Sequence, residues 1–110
     1  MPNSDNYHAP TLALGTAFEL LANPMRRQVI YYLRESGQDV ASVDELVECV
    51  HAETSVVNAP ERARVGLVHR HLPKLADHGV IEFDSRSETV RYRDGHRLGA
   101  VVAFAAEHER

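Results

Sequence analysis

At Gly79 the spacing of hydrophobic residues changes from helical to alternating, and that switch limits how this chain can fold. Upstream, Val65, Val68, Leu72 and Leu75 recur at steps of three and four, the stripe of a helix with one side against a core. Downstream, residues 80–84 and 89–93 alternate apolar and polar side chains across Ser85-Arg86-Ser87-Glu88, which predicts a β-hairpin. Ile81 and Phe83 share one side of the first strand and Val90 and Tyr92 one side of the second, so these four pack on the helices while Arg91 and Arg93 face outward. Pro73 interrupts the helical stripe. It removes the bond to the carbonyl of His69 and predicts a kink or loosening, at about 3 kcal/mol in a regular helix interior.

The rest of the chain is punctuated clearly. Residues 1–10 are polar with two prolines and predict a loose arm; Leu14, Phe18 and Leu21 then mark a first helix. Asn23 followed by Pro24 predicts a restart, since Asn caps free backbone N–H groups and Pro suits the first helical position. The second helix runs to about Glu35 with Val29, Ile30 and Leu33 inward, and Gly37 stops it. Residues 39–41 are extended, and Ser42 with Glu45 has the form of a capping box opening a helix to about His51, whose buried side is Leu46, Val47 and Val50. The β-branched residues and proline of 54–60 predict a connecting loop, with the next helix starting near Pro60. After Asp94-Gly95 a last helix, 96–107, carries Leu98, Val101, Val102, Phe104 and Ala105 on a wide arc.

With 110 residues, of which 44% are hydrophobic, the chain has material for one modest core. The expected class is α+β, mostly α, with an arm at 1–10, a domain over 11–95 and a C-terminal helix over 96–110. The formal net charge of -4 does not by itself announce a nucleic-acid partner. Its distribution says more, because residues 1–60 hold only Arg26, Arg27 and Arg34 as cations and the other nine follow. Cys49 is the one cysteine and excludes an internal disulfide. The first ten residues show no signal-peptide pattern and the apolar run 100–106 is too short for a bilayer, so a cytoplasmic address is expected.

The order helix, helix, short strand, helix, helix, hairpin, helix is that of a winged helix-turn-helix domain. The segment HRHLPKLADHGVIEF, with His71, Leu72, Leu75, Gly79, Val80 and Ile81, resembles the passage from recognition helix to wing in ArsR-like regulators. Taken with FELLANPMRRQVIYYLRE at 18–35, it is closer still to a group of haloarchaeal winged-helix proteins, mostly of unassigned function, over residues 14–93. The resemblance implies a DNA-binding transcription regulator with its recognition helix at about 60–78 and a two-stranded wing at 80–93. In place of the usual short turn between the second and third helices stands the long connection at 54–60.

A helical wheel places Ala63, Gly66, Leu67, Arg70 and Lys74 opposite the Val65–Leu75 stripe, with Arg62 and Arg64 flanking. Small residues at 63 and 66 would admit the groove, and the cations would meet phosphate. Arg86 at the hairpin tip is the residue a wing would offer to phosphate or the minor groove. The expected DNA-binding set is therefore Arg62, Ala63, Arg64, Gly66, Arg70, Lys74 and Arg86; Arg26 and Arg27 read as a solvated helix end.

Seven histidines raise the question of a metal, but His69 and His71, like Cys49 and His51, are two residues apart and fall on different sides of a helix. No metal and no cofactor are expected. Neither a glycine-rich phosphate loop nor a nucleophile elbow appears, so an enzyme is not expected. The apolar arc of the last helix predicts a homodimer whose two recognition helices would lie about 34 Å apart on double-stranded DNA. A protein-interaction module without DNA binding, using the long loop and an exposed Leu67, is the alternative.

Overall fold

Asn23 sets the first boundary between helices. Its Oδ1 accepts from the backbone N–H groups of Met25 and Arg26, at 2.8 and 3.3 Å, and Pro24 opens the helix that follows. In the computed structural model, which describes residues 12–53, 59–93 and 96–109, this cap separates α1 (Leu14–Leu21) from α2 (Pro24–Ser36). Gly37 then takes φ 71°, the left-handed conformation that ends α2. The proposed arm 1–10, residues 54–58 of the connecting loop and Asp94-Gly95 lie outside the described residues.

β1 (Val40–Ser42) leads into α3 (Val43–Glu53) through the reciprocal capping box: Ser42 N–H donates to Glu45 Oε1 at 2.8 Å, and Glu45 N–H to Ser42 Oγ at 3.1 Å. Those bonds, with the Tyr32 hydroxyl on the second oxygen at 3.1 Å, hold the Glu45 carboxyl below its ordinary pKa. α4 (Pro60–Gly66), a π-helical turn (Leu67–His71) and α5 (Leu72–Asp77) follow one another without a break. Gly79, at φ 77°, closes α5 with its N–H on Ala76 O and that of Val80 on Leu75 O, both 3.0 Å. β2 (Ile81–Asp84), β3 (Thr89–Tyr92) and α6 (His96–Glu109) complete the chain.

The fold is α+β and mostly helical, with a small antiparallel sheet. That sheet has three strands, not the hairpin's two, because β1 pairs with β3 in the order β1-β3-β2. Val90 in the central strand faces Ala41 on one side and Phe83 on the other. Ala41, Val90 and Ile81 are buried, and the outer face carries Glu82 between Arg91 and Arg93.

Leu20, Ile30, Leu46, Leu67, Leu72, Leu75 and Leu98 are each under 2% exposed and form the centre of the core. The first helix turns differently from its expected stripe: Ala17, Leu20 and Leu21 go inward, whereas Leu14 and Phe18 remain 47% and 50% exposed. Apolar residues occur on two sides of α1, and spacing alone does not say which side meets the core. α6 packs on α1 and α2 through Leu98, Val101 and Val102, leaving Phe104 57% exposed. Among the described residues no helix is long and apolar enough to cross a membrane.

Candidate nucleic-acid interface

The π-helical turn decides which residues of the 60–77 segment face out. The N–H of Leu72 reaches the carbonyl of Leu67, five residues back instead of four. Pro73, which has no N–H to give, stands at the second position after that turn, so the loosening expected of it takes the form of one extra residue in the coil. An added residue rotates everything upstream by roughly 100° relative to a regular helix. The inward positions are accordingly Ala63, Leu67, Leu72 and Leu75, all fully buried.

Three of the expected assignments fall with this rotation. Ala63, placed on the DNA face, is at 0% exposure and belongs to the core. Leu67, expected at the surface, is equally buried, while Val65 of the supposed core stripe is 58% exposed. The outward face is formed instead by Arg62, Val65, His69 and Arg70, with Gly66 half-buried beside them. The signal for this phase was present as the five-residue step from Leu67 to Leu72 immediately before a proline.

The cations on and around this face divide by their partners. Arg64 bridges to Asp44 of α3 and, at 2.7 Å, to Glu88 of the hairpin turn. It therefore ties the turn to α4, aided by the Val43 N–H on Glu88 O at 2.9 Å. Lys74 Nζ lies 3.2 Å from Glu19 of α1. Arg91 and Arg93 share Glu82. Arg62, Arg70 and Arg86 are exposed and have no ion pair or side-chain hydrogen bond among the described residues. Arg86 is held in place through its backbone, since Asp84 Oδ1 accepts from the N–H groups of Arg86 and Ser87 at 2.9 and 3.3 Å. The same bonds keep the Asp84 carboxyl below its usual range.

Arg26 and Arg27 are not a solvated helix end. Arg26 is 8% exposed and donates to Leu20 O at 2.8 Å and Glu19 O at 3.0 Å, so it caps the C-terminus of α1. Its Nη1 also meets His71 Nδ1 at 3.1 Å. Arg27 donates to Leu21 O at 2.7 Å and grips Glu109 of α6 at 2.9 and 3.1 Å, an attachment that raises its pKa. Immediate restart of the chain at Asn23 leaves α1 without a capping glycine, which is the sequence signal for this use of two arginines.

His71, 2% exposed, is the buried polar centre under this face. A guanidinium has no lone pair to offer, so Nδ1 must accept from Arg26 and the proton of the neutral ring sits on Nε2. Burial first, then the charges of Arg26 and Arg70, push its pKa down to about 4. Beside it, Met25, Arg62, Val65, Gly66 and Arg70 line a groove of about 480 Å³ between the start of α2 and α4.

Among the described residues no three His, Cys, Asp or Glu side chains converge as a metal site. Cys49 Sγ instead faces the carbonyl of Gln28 at 3.8 Å. Residues 18–91 match a family described as Domain of unknown function (DUF7344). No curated protein and no solved structure matches the chain.

Proposed function

This chain belongs to the DUF7344 family, a domain of unknown function, and from its own geometry we propose that it is a DNA-binding transcription regulator of the winged helix-turn-helix kind. The observation that carries this reading is the set of free cations: Arg62 and Arg70 on the outward side of the 60–77 helix and Arg86 on the adjoining hairpin turn. Arg64 brings that turn against α4 through Glu88, so the helix and the wing tip present their unpaired guanidinium groups from neighbouring elements. The helix enters the major groove with Arg62, Val65, His69 and Arg70, and Arg86 reaches the flanking phosphates or minor groove. Arg64 and Lys74 hold the helix in place through their internal acids.

The protein acts as a homodimer. Leu14, Phe18 and Phe104 are about half exposed, and α1 and α6 frame an apolar groove of about 450 Å³ lined by Phe18, Leu21, Val101 and Phe104. Sedimentation of the Phe104→Glu variant should report a monomer against a wild-type dimer; an unchanged dimer would reject this surface.

Fluorescence titration on genomic fragments at several salt concentrations tests the DNA reading. Replacing Arg62 and Arg70 together by Ala should weaken binding about ten-fold or more and reduce the slope of log affinity against log salt by about 2. Equal affinity and slope would remove the proposed face. The Arg64→Ala variant, whose charge is already paired, should alter the slope less.

A further inference from the structure

The groove between α2 and α4 contains a buried donor with nothing to receive its proton. Nδ1 of His71 is taken by Arg26, which fixes the N–H on Nε2, and no described residue accepts from it. A methyl placed on Gly66 would lie 3.7 Å from His71 Cδ2 and 3.9 Å from Nε2, so this edge of the ring is turned to the groove that Gly66 keeps open. A donor left unmet at 2% exposure is unfavourable, and an acceptor entering the groove would relieve it.

The walls around it match one kind of ligand. Arg62 and Arg70 stand at the rim with no internal partner among the described residues, and Glu61 is the one acid among the lining residues. Met25 and Val65 supply apolar surface, and the Met25 Cε would be 3.3 Å from a Gly66 methyl. The Asn23 Oδ1, the acceptor at the groove's end, is engaged in capping α2. What remains free is a set of donors over an apolar floor, in a groove of about 480 Å³, within the range of small-molecule sites.

We propose that this groove binds a small carboxylate with a short apolar body, its carboxylate held by Arg62, Arg70 and the Nε2–H of His71 and its body against Met25 and Val65. Such a ligand occupies the same two arginines as DNA and is therefore an effector that releases it. That regulatory consequence rests on the DNA reading, whereas the binding does not.

The probe is benzoate, with benzamide as its neutral counterpart and inorganic phosphate as an anion without an apolar body, titrated without DNA and followed by the ring resonances of His71. Benzoate should produce saturable shifts, and benzamide and phosphate should each bind about ten-fold more weakly. Gly66→Ala, which fills the groove beside Met25 and His71, should weaken benzoate about ten-fold with an unchanged circular dichroism spectrum. Arg70→Gln, at an exposed position, should do the same should Gly66→Ala not fold. The absence of saturable shifts, equal binding of benzamide or phosphate, or unaltered benzoate binding in both variants would overturn the proposal. DNA affinity of the wild type without benzoate reports separately on the DNA reading; loss of that affinity on adding benzoate would support the effector role, and its persistence at saturation would overturn that role alone.

Discussion

Arg26 and Arg27 at the start of α2 look in sequence much like Arg62 and Arg70 on the 60–77 helix, yet the fold treats the two pairs in opposite ways. The first pair is engaged by three carbonyls at the end of α1, by His71 and by Glu109. The second has no internal acid or carbonyl among the described residues. A basic residue indicates a partner outside the molecule only after the partners inside have been accounted for. By that measure Arg64, Lys74, Arg91 and Arg93 also belong with the structural cations, and Arg86 with the free ones.

The largest effect should come from the structural side. Arg26→Ala leaves Leu20 O and His71 Nδ1 without this donor in a buried setting and leaves Glu19 O with only the N–H of Ala22, and should lower stability by about 2–4 kcal/mol in urea unfolding. A loss below about 0.5 kcal/mol would break the comparison, for Arg26 would then be no more structural than a surface residue.

Acid should expose the same centre more gently. His71 titrates at about 4 in the folded chain against its ordinary 6.5, so between those values the unfolded chain takes up a proton that the folded one refuses. Its contribution is complete above pH 6.5 and declines as the pH falls toward 4, by about 3 kcal/mol in all. Urea unfolding at pH 6.5 and pH 5 should show the decline, and His71→Gln should flatten it. A slope that survives this substitution would place the acid sensitivity elsewhere.

The contrast between the two arginine pairs also marks how far the sequence could be read. Asn23-Pro24, Gly37, the Ser42–Glu45 box and Gly79 all act within a few residues of themselves, and the helices and hairpin they bound are where the local chemistry put them. The fate of a charge depends on distant chain: His71 reaches Arg26 from 45 residues away, and Arg64 finds Glu88 across 24. The short strand at 39–41 was legible but its place in the sheet was not, for the same reason, since β1 pairs with a strand half a chain later. The face of the 60–77 helix was misread for a different cause. A period of 3.6 extended backward from Leu75 and Leu72 arrives at Val68 and Val65, and the π-helical turn moves the true inward residues to Leu67 and Ala63. Of the seven residues expected on the DNA face, Ala63 is therefore in the core, while Val65 and His69 are on the outward side.

The smallest expected change in stability belongs to the free pair, and it is the sharpest test of the contrast. Among the described residues Arg62 and Arg70 hold no partner whose loss would leave a buried group unsatisfied, so replacing both by Ala should shift stability by less than about 0.5 kcal/mol at neutral pH. The sign should even favour the variant in acid. The charge of Arg70 is one of the causes that depress His71, and without it His71 should titrate at a higher pH, so the acid loss that starts near pH 6.5 should end sooner and be smaller in all. A double variant that loses DNA affinity while unfolding at the wild-type urea concentration would separate binding from folding at these two positions. One that loses both together would show that Arg62 and Arg70 support the helix as Arg26 does, and the division between engaged and free arginines would no longer mark a binding face.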